Sequence, residues 1–188
     1  MSADVLVNLS GGVDSAWCMW QALRAGQDVL AHHIRLHNHE GRQKYEAHAV
    51  RRICDWYGRQ RLPGRWKLVQ TTVDYGDVRR IVRDWAVWGW WTGVLLTDPK
   101  HAHRTVVVSS YRMSDPDDPE EQRRRQIVKA VAGFDPDWST PLAGMTKQDV
   151  VRSMPPGLLD CCWWCRRPTV TGKPCGRCRT CRQMQEIR

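Results

Sequence analysis

The 188 residues suffice for one substantial hydrophobic core but would strain to make two, so one domain with an appendage is expected. No run approaches the roughly 18 consecutive apolar residues of a membrane span, and no basic segment precedes an apolar one at the N-terminus, which argues against export and for the cytoplasm. The formal charge of +9 suits a polyphosphate or nucleic-acid partner, although a solvated basic face is the commoner origin of such an excess.

Short β-branched runs alternate with longer amphipathic runs through the first two thirds, the pattern of a doubly wound, mostly parallel sheet with helices on both faces. Residues 4–9 (DVLVNL) read as the first strand and 14–25 as a helix stopped by Gly26. DVLAHHIRL (28–36) makes a second strand, and Tyr45, Ala49, Ile53 and Tyr57 share one face of a helix over 42–57, closed by Gly58. WKLVQTTV (66–73) is a third strand, a Trp-rich helix runs to about Trp91, and RTVVVSS (104–110) is a fourth strand. SDPDDPEE then forms a loop into a charged helix at about 120–132, and Thr146 with Asp149 caps the short helix TKQDVVRS. The chain divides on this reading into an α/β nucleotide-binding domain over 1–145 and a C-terminal region over 146–188.

The strand ending at Leu9 runs into SGGVDS, which places bare backbone where open parallel sheets bind ligands. Gly11 and Gly12 let the backbone approach a ligand and point its N–H groups inward; Ser10 and Ser15 add hydroxyls, and the next helix presents its positive end. This is a phosphate cradle, distinct from the GxxxxGK[ST] and GxGxxG loops, with Asp14 either orienting a metal or capping the helix.

Six of the eight cysteines crowd between Cys161 and Cys181, too close together for a disulfide framework in a reducing compartment. Cys165, Cys175, Cys178 and Cys181 are the candidate metal ligands, with Cys161 and Cys162 as rivals of Cys165. Four sulfurs suit tetrahedral Zn²⁺, and the C-x2-C-x2-C run also suits an iron–sulfur cluster. Seven Lys and Arg between 161 and 188 face Glu186 alone, an excess that metal-bound thiolates would reduce by about two.

Three weaker signals complete the chain. His33, His37 and His39 share a parity with Arg35 while Ile34 and Leu36 take the other face, which predicts a solvated or ligand-facing strand end and no second metal site. Trp85, Trp88, Trp90 and Trp91 fit a buried helix at least as well as a purine-stacking surface. Asp115, Asp117 and Asp118 offer Mg²⁺ ligands, though an acidic loop between prolines is usually just exposed.

At Ser10 to Ser15 the chain matches the SGGxDS signature in full and so resembles the PP-loop ATP pyrophosphatase superfamily. The resemblance implies a fold like that of the HUP, or adenine nucleotide alpha hydrolase, group and transfer of AMP from ATP to an acceptor oxygen, with Mg²⁺ assisting. ATP would rest on Ser10, Gly11, Gly12, Val13, Asp14 and Ser15. Adding Gly41, Arg42, Gln43 and Glu46, the TKxDVV helix at 146–151, and a cysteine followed by CGxCxxC, the chain is similar to the 7-cyano-7-deazaguanine synthases. That implies adenylation of a 7-carboxy-7-deazaguanine, amide formation with ammonia, and loss of the amide oxygen to leave a nitrile for queuosine or archaeosine. It implies zinc on Cys165, Cys175, Cys178 and Cys181, and catalytic parts for Ser10, Asp14 and Lys147, the last meeting a phosphate or only surface charge. GRQK replaces the family's GQRH-type element, Arg83 and Asp84 its Arg–Asn pair, and SYRMSDPDDPEE its YPDCR-like segment. The short connections resemble those of phage or mobile-element relatives, for which DNA rather than tRNA is the destination. Base sulfuration, which a spare reactive Cys161 or Cys162 would favour, and a non-catalytic, zinc-dependent nucleic-acid module are the competing functions; a homodimer fits any of them.

Overall fold

The computed structural model describes residues 5–38, 40–78, 84–110 and 117–187; His39, Arg83, Asp115 and the rest of the 111–116 segment lie outside the described residues. The elements in chain order are β1 (Val5–Asn8), α1 (Val13–Arg24), β2 (Val29–His37), α2 (Gln43–Gly58), β3 (Trp66–Asp74) and α3 (Asp84–Leu96). They continue with β4 (Thr105–Val107), α4 (Pro119–Ala132), β5 (Trp138–Ser139), α5 (Lys147–Arg152), α6 (Leu158–Cys161) and α7 (Arg179–Ile187).

The five strands form one sheet in the order β3-β2-β1-β4-β5, and every pairing is parallel. Parallel neighbours need crossover helices, and these cover both faces, so the central strands are buried along nearly their whole length. Alternation sorts the side chains: Val5 and Val7 of β1 face the cluster built with α1 and α2, while Leu6 meets Leu30, Val106, Leu96 and Val128 on the α3 and α4 side. Val150, Leu158, Cys162 and Met184, from the last quarter of the chain, enter the same cluster as Val5 and Val7. Among the described residues no helix is long and apolar enough to cross a membrane.

Two expectations are corrected. His33 does not belong to a solvated or ligand-facing strand end: it is 1 % exposed and His32 is fully buried, because β2 lies between β1 and β3 with helices against both faces. His37, at the strand's end, is exposed. The tryptophans of α3 are not its buried face either. Gly89, Thr92, Gly93 and Leu96 are buried, while Trp90 is 54 % exposed. The two glycines, four residues apart, let α4 come close: a Cβ on Gly93 would stand 2.6 Å from the Val131 Cβ.

Turn chemistry follows the sequence closely. Thr146 and Asp149 form the reciprocal cap on α5, the Thr146 N–H donating to Asp149 at 2.8 Å and the Asp149 N–H to Thr146 Oγ1 at 3.2 Å. Asp118 caps α4 by accepting from the amides of Glu120 and Glu121.

Candidate nucleotide cleft and four-cysteine cluster

The strand order reverses between β1 and β4, and a cleft of about 650 Å³ opens there, above the carboxyl ends of the strands. Its floor is the loop after β1. Leu9, the last residue before that loop, is pinned twice by β2: its N–H donates to the His32 carbonyl at 2.7 Å, and its carbonyl accepts from His33 Nδ1–H at 2.9 Å. A carbonyl can only accept, so this bond sets the neutral tautomer of His33, and burial holds the ring at about 4.

Ser10 and Ser15 fold the loop onto itself. Their hydroxyls are 3.1 Å apart, the Ser10 N–H donates to Ser15 Oγ at 3.2 Å, and the Ser15 hydroxyl donates to the Gly12 carbonyl at 3.2 Å. Gly11 has φ +81°, and a Cβ there would lie 2.7 Å from the backbone carbonyl oxygen of Glu46, so only glycine fits between the loop and α2. Gly12 occupies the N-cap of α1 with no side chain accepting from the first turn, which leaves those amides to an incoming anion. Asp14 is therefore not the helix cap. It lies in the first turn and accepts from Lys147 Nζ, and both line the cleft.

The walls come from four other elements. Arg42, 9 % exposed, binds Glu40, Glu46 and Asp84. Burial works to lower the Arg42 pKa, but the three carboxylates outweigh it and hold the guanidinium charged; burial raises Glu46, opposed by Arg42. Asn8 is fixed by its amide donating to Thr92 Oγ1 at 3.0 Å. Trp85 and Trp88 line the cleft, whereas Trp90 and Trp91 do not. Arg124 forks onto the fully buried Glu121 through bonds of 2.8 and 2.9 Å.

Of the expected site residues, Ser10, Gly12, Val13, Asp14 and Lys147 line this one cleft, with Gly11 and Ser15 shaping its floor from beneath. Asp118 also reaches it, but as the cap of α4. Residue-by-residue reading missed Asn8 and the anchoring histidines; the buried run through His32 and His33 in a central strand was the signal available.

The last wall is the C-terminal tail, through Trp163, Trp164, Cys165, Arg166, Arg179 and Gln183. The Sγ atoms of Cys165, Cys175, Cys178 and Cys181 lie within 4.8 Å of one another. A tetrahedral Zn–S₄ centre needs sulfurs about 3.8 Å apart, so the set fits zinc after small adjustment. Cys162 is instead 3 % exposed in the core, and the Cys161 thiol donates to the Gly157 carbonyl, so neither joins the cluster. Backbone amides of Arg177 and Cys178 lower the Cys175 thiol. At Cys178 burial works upward, yet the amides of Arg166 and Cys181 prevail and hold it at about 6. Burial pushes the Cys165 and Cys181 thiols the other way, so the four thiols are shifted in opposite senses before any cation contributes. Among the described residues no other group of three or more His, Cys, Asp or Glu ligand atoms converges in this way.

Residues 3–75 match the family model described as the tRNA methyl transferase HUP domain, a stretch running from β1 through β3 and containing the loop and α2. With the all-parallel sheet, this makes the fold an α/β one with a HUP domain. The match spans less than half of the chain and supports kinship with the PP-loop superfamily, whose members are typically ATP-dependent enzymes. No curated protein sequence shows significant similarity to the chain.

Proposed function

We propose that the chain is an ATP-dependent carbon–nitrogen ligase acting on a 7-carboxy-7-deazaguanine-type carboxylate. The observation that carries the ATP reading is the Ser10–Ser15 loop at the uncapped start of α1, open to a cleft large enough for a nucleotide at the strand-order reversal. The loop amides would hold the phosphates, and Lys147, already on the cleft wall beside Asp14, would neutralise charge as pyrophosphate departs. The acceptor carboxylate oxygen attacks the α-phosphorus and expels pyrophosphate. Ammonia then displaces AMP to give the amide; a second adenylation, on the amide oxygen, and loss of AMP and a proton leave the nitrile.

The deazaguanine acceptor rests on the motif resemblance, on Trp85 and Trp88 as stacking surfaces in the wall, and on the cysteine quartet, where zinc would hold the tail in place. The test is mass spectrometry of the pure protein with ATP, Mg²⁺, ammonium and 7-carboxy-7-deazaguanine. AMP together with amide or nitrile is expected, and Ser10→Ala should lose AMP release without unfolding. AMP formation that ignores the carboxylate would reject this acceptor.

The description of the matching family favours a second reading, modification of an RNA base. Its sulfuration form needs a reactive thiol, and burial raises the thiols of both Cys161 and Cys162, which weighs against them. Replacing the deazaguanine by tRNA in the same assay separates the two.

A further inference from the structure

The four-cysteine cluster and the phosphate loop touch through one residue. Trp163 donates its backbone N–H to the Gly11 carbonyl at 2.9 Å. Its indole stacks on Tyr45, with 4.9 Å between ring centroids and 16° between planes, and its Nε1–H donates to the carbonyl of Cys165 at 2.7 Å. The loop between Cys165 and Cys175 also reaches Tyr45, because a Cβ on Gly172 would lie 3.0 Å from that ring. Tyr45 belongs to α2, the helix whose Glu46 carbonyl presses on Gly11 from below. Gly11 is held between the cysteine segment and α2.

We propose that the metal site and the nucleotide site are coupled through Trp163 and Tyr45, so that metal on the four thiolates tightens polyphosphate binding and bound polyphosphate retards metal loss. This inference rests on the ATP reading and goes beyond it. The physical reason lies in where ordering is spent. The 165–181 segment has few apolar side chains and takes its order from the ion, and an ordered segment presents Trp163 to Gly11 with no further loss of freedom. Without the ion, the nucleotide must itself fix that carbonyl and the loop amides around it. Linkage makes the change in affinity equal in both directions, and metal held more tightly is expected to leave more slowly.

The test uses the full chain loaded with Zn²⁺. Calorimetry measures affinity for α,β-methylene-ATP, and a chromogenic chelator measures zinc release with and without that analogue. In the unaltered protein the analogue should slow zinc release about tenfold. Trp163→Ala should bind the analogue about tenfold more weakly and release zinc at a rate indifferent to it, while Trp163→Phe, which keeps a ring on Tyr45, should recover most of both effects. Tyr45→Ala should match Trp163→Ala, and the double variant should add little, since one contact is being removed twice. A purely structural Trp163 would alter zinc release without abolishing its response to nucleotide. Tight analogue binding with zinc release unchanged in the unaltered protein overturns the coupling and leaves the proposed function standing. No analogue binding by the zinc-loaded protein overturns both, and the comparison in the unaltered protein decides the matter even where a variant fails to fold.

Discussion

Lys147 Nζ donates to Asp14 Oδ1 across 133 residues of sequence, joining the first turn of α5 to the first turn of α1 at the cleft wall. Lys147 is 8 % exposed, so the pair is shielded from solvent on the lysine side and open toward the cleft on the aspartate side.

Removing one partner should therefore hurt more than removing both. Asp14→Ala takes a carboxylate away from a nearly buried ammonium, and a loss of about 2 kcal/mol in denaturant-measured stability is expected. Adding Lys147→Met should return much of that stability while AMP release stays absent. Equal stability losses that simply add would show that the two side chains do not interact.

The close approach of α3 to α4 should make Gly93 intolerant of any side chain. Gly93→Ala places a methyl group 2.6 Å from the Val131 Cβ, against a well-packed helix, and is expected to cost about 1–3 kcal/mol. Val131→Ala in the same chain should relieve part of it, as a shift in melting temperature would reveal.

The buried histidines set an acid limit. Burial lowers His32 and His33 from 6.5 to about 4 in the folded protein. Between those values the unfolded chain binds protons that the folded one refuses, so stability is present above pH 6.5 and is lost as pH falls toward 4. From pH 7 to pH 5 the loss should be about 2 kcal/mol for each ring. His33→Gln, which keeps a donor for the Leu9 carbonyl, should roughly halve the slope of stability against pH.

Metal removal should act on the tail first. Cys178→Ser, or dialysis against a strong chelator, is expected to leave less than a full equivalent of metal and to expose residues beyond Cys165 to limited proteolysis while the sheet survives. The loaded protein should be colourless; visible absorbance would instead indicate an iron–sulfur cluster.

Local chemistry was the readable part of this chain. SGGVDS marked the loop, Thr146 and Asp149 marked their helix start, and the Cys165, Cys175, Cys178 and Cys181 set converges in space as its spacing suggested. What escaped was decided by surroundings. Parity along β2 mattered little once helices covered both its faces, so His33 was misplaced. Four tryptophans outweighed two glycines on paper, yet Gly89 and Gly93 set how near α4 can come, with Trp85 and Trp88 turned toward the cleft and Trp90 toward solvent. The two-residue β5 carries too few residues for any periodic signal, and no pattern announces that Trp163 will reach Gly11.

The cleft takes Asn8 and Ser10 from one end of the sequence and Cys165 and Gln183 from the other. During synthesis, then, the ribosome displays the loop long before its closing wall has emerged. A nascent chain halted at Asp160 would carry the cradle and most of the cleft lining but not the wall from Trp163 to Gln183, and on the proposed function it is expected to consume no ATP. On that function, nucleotide turnover waits until the tail wall is in place.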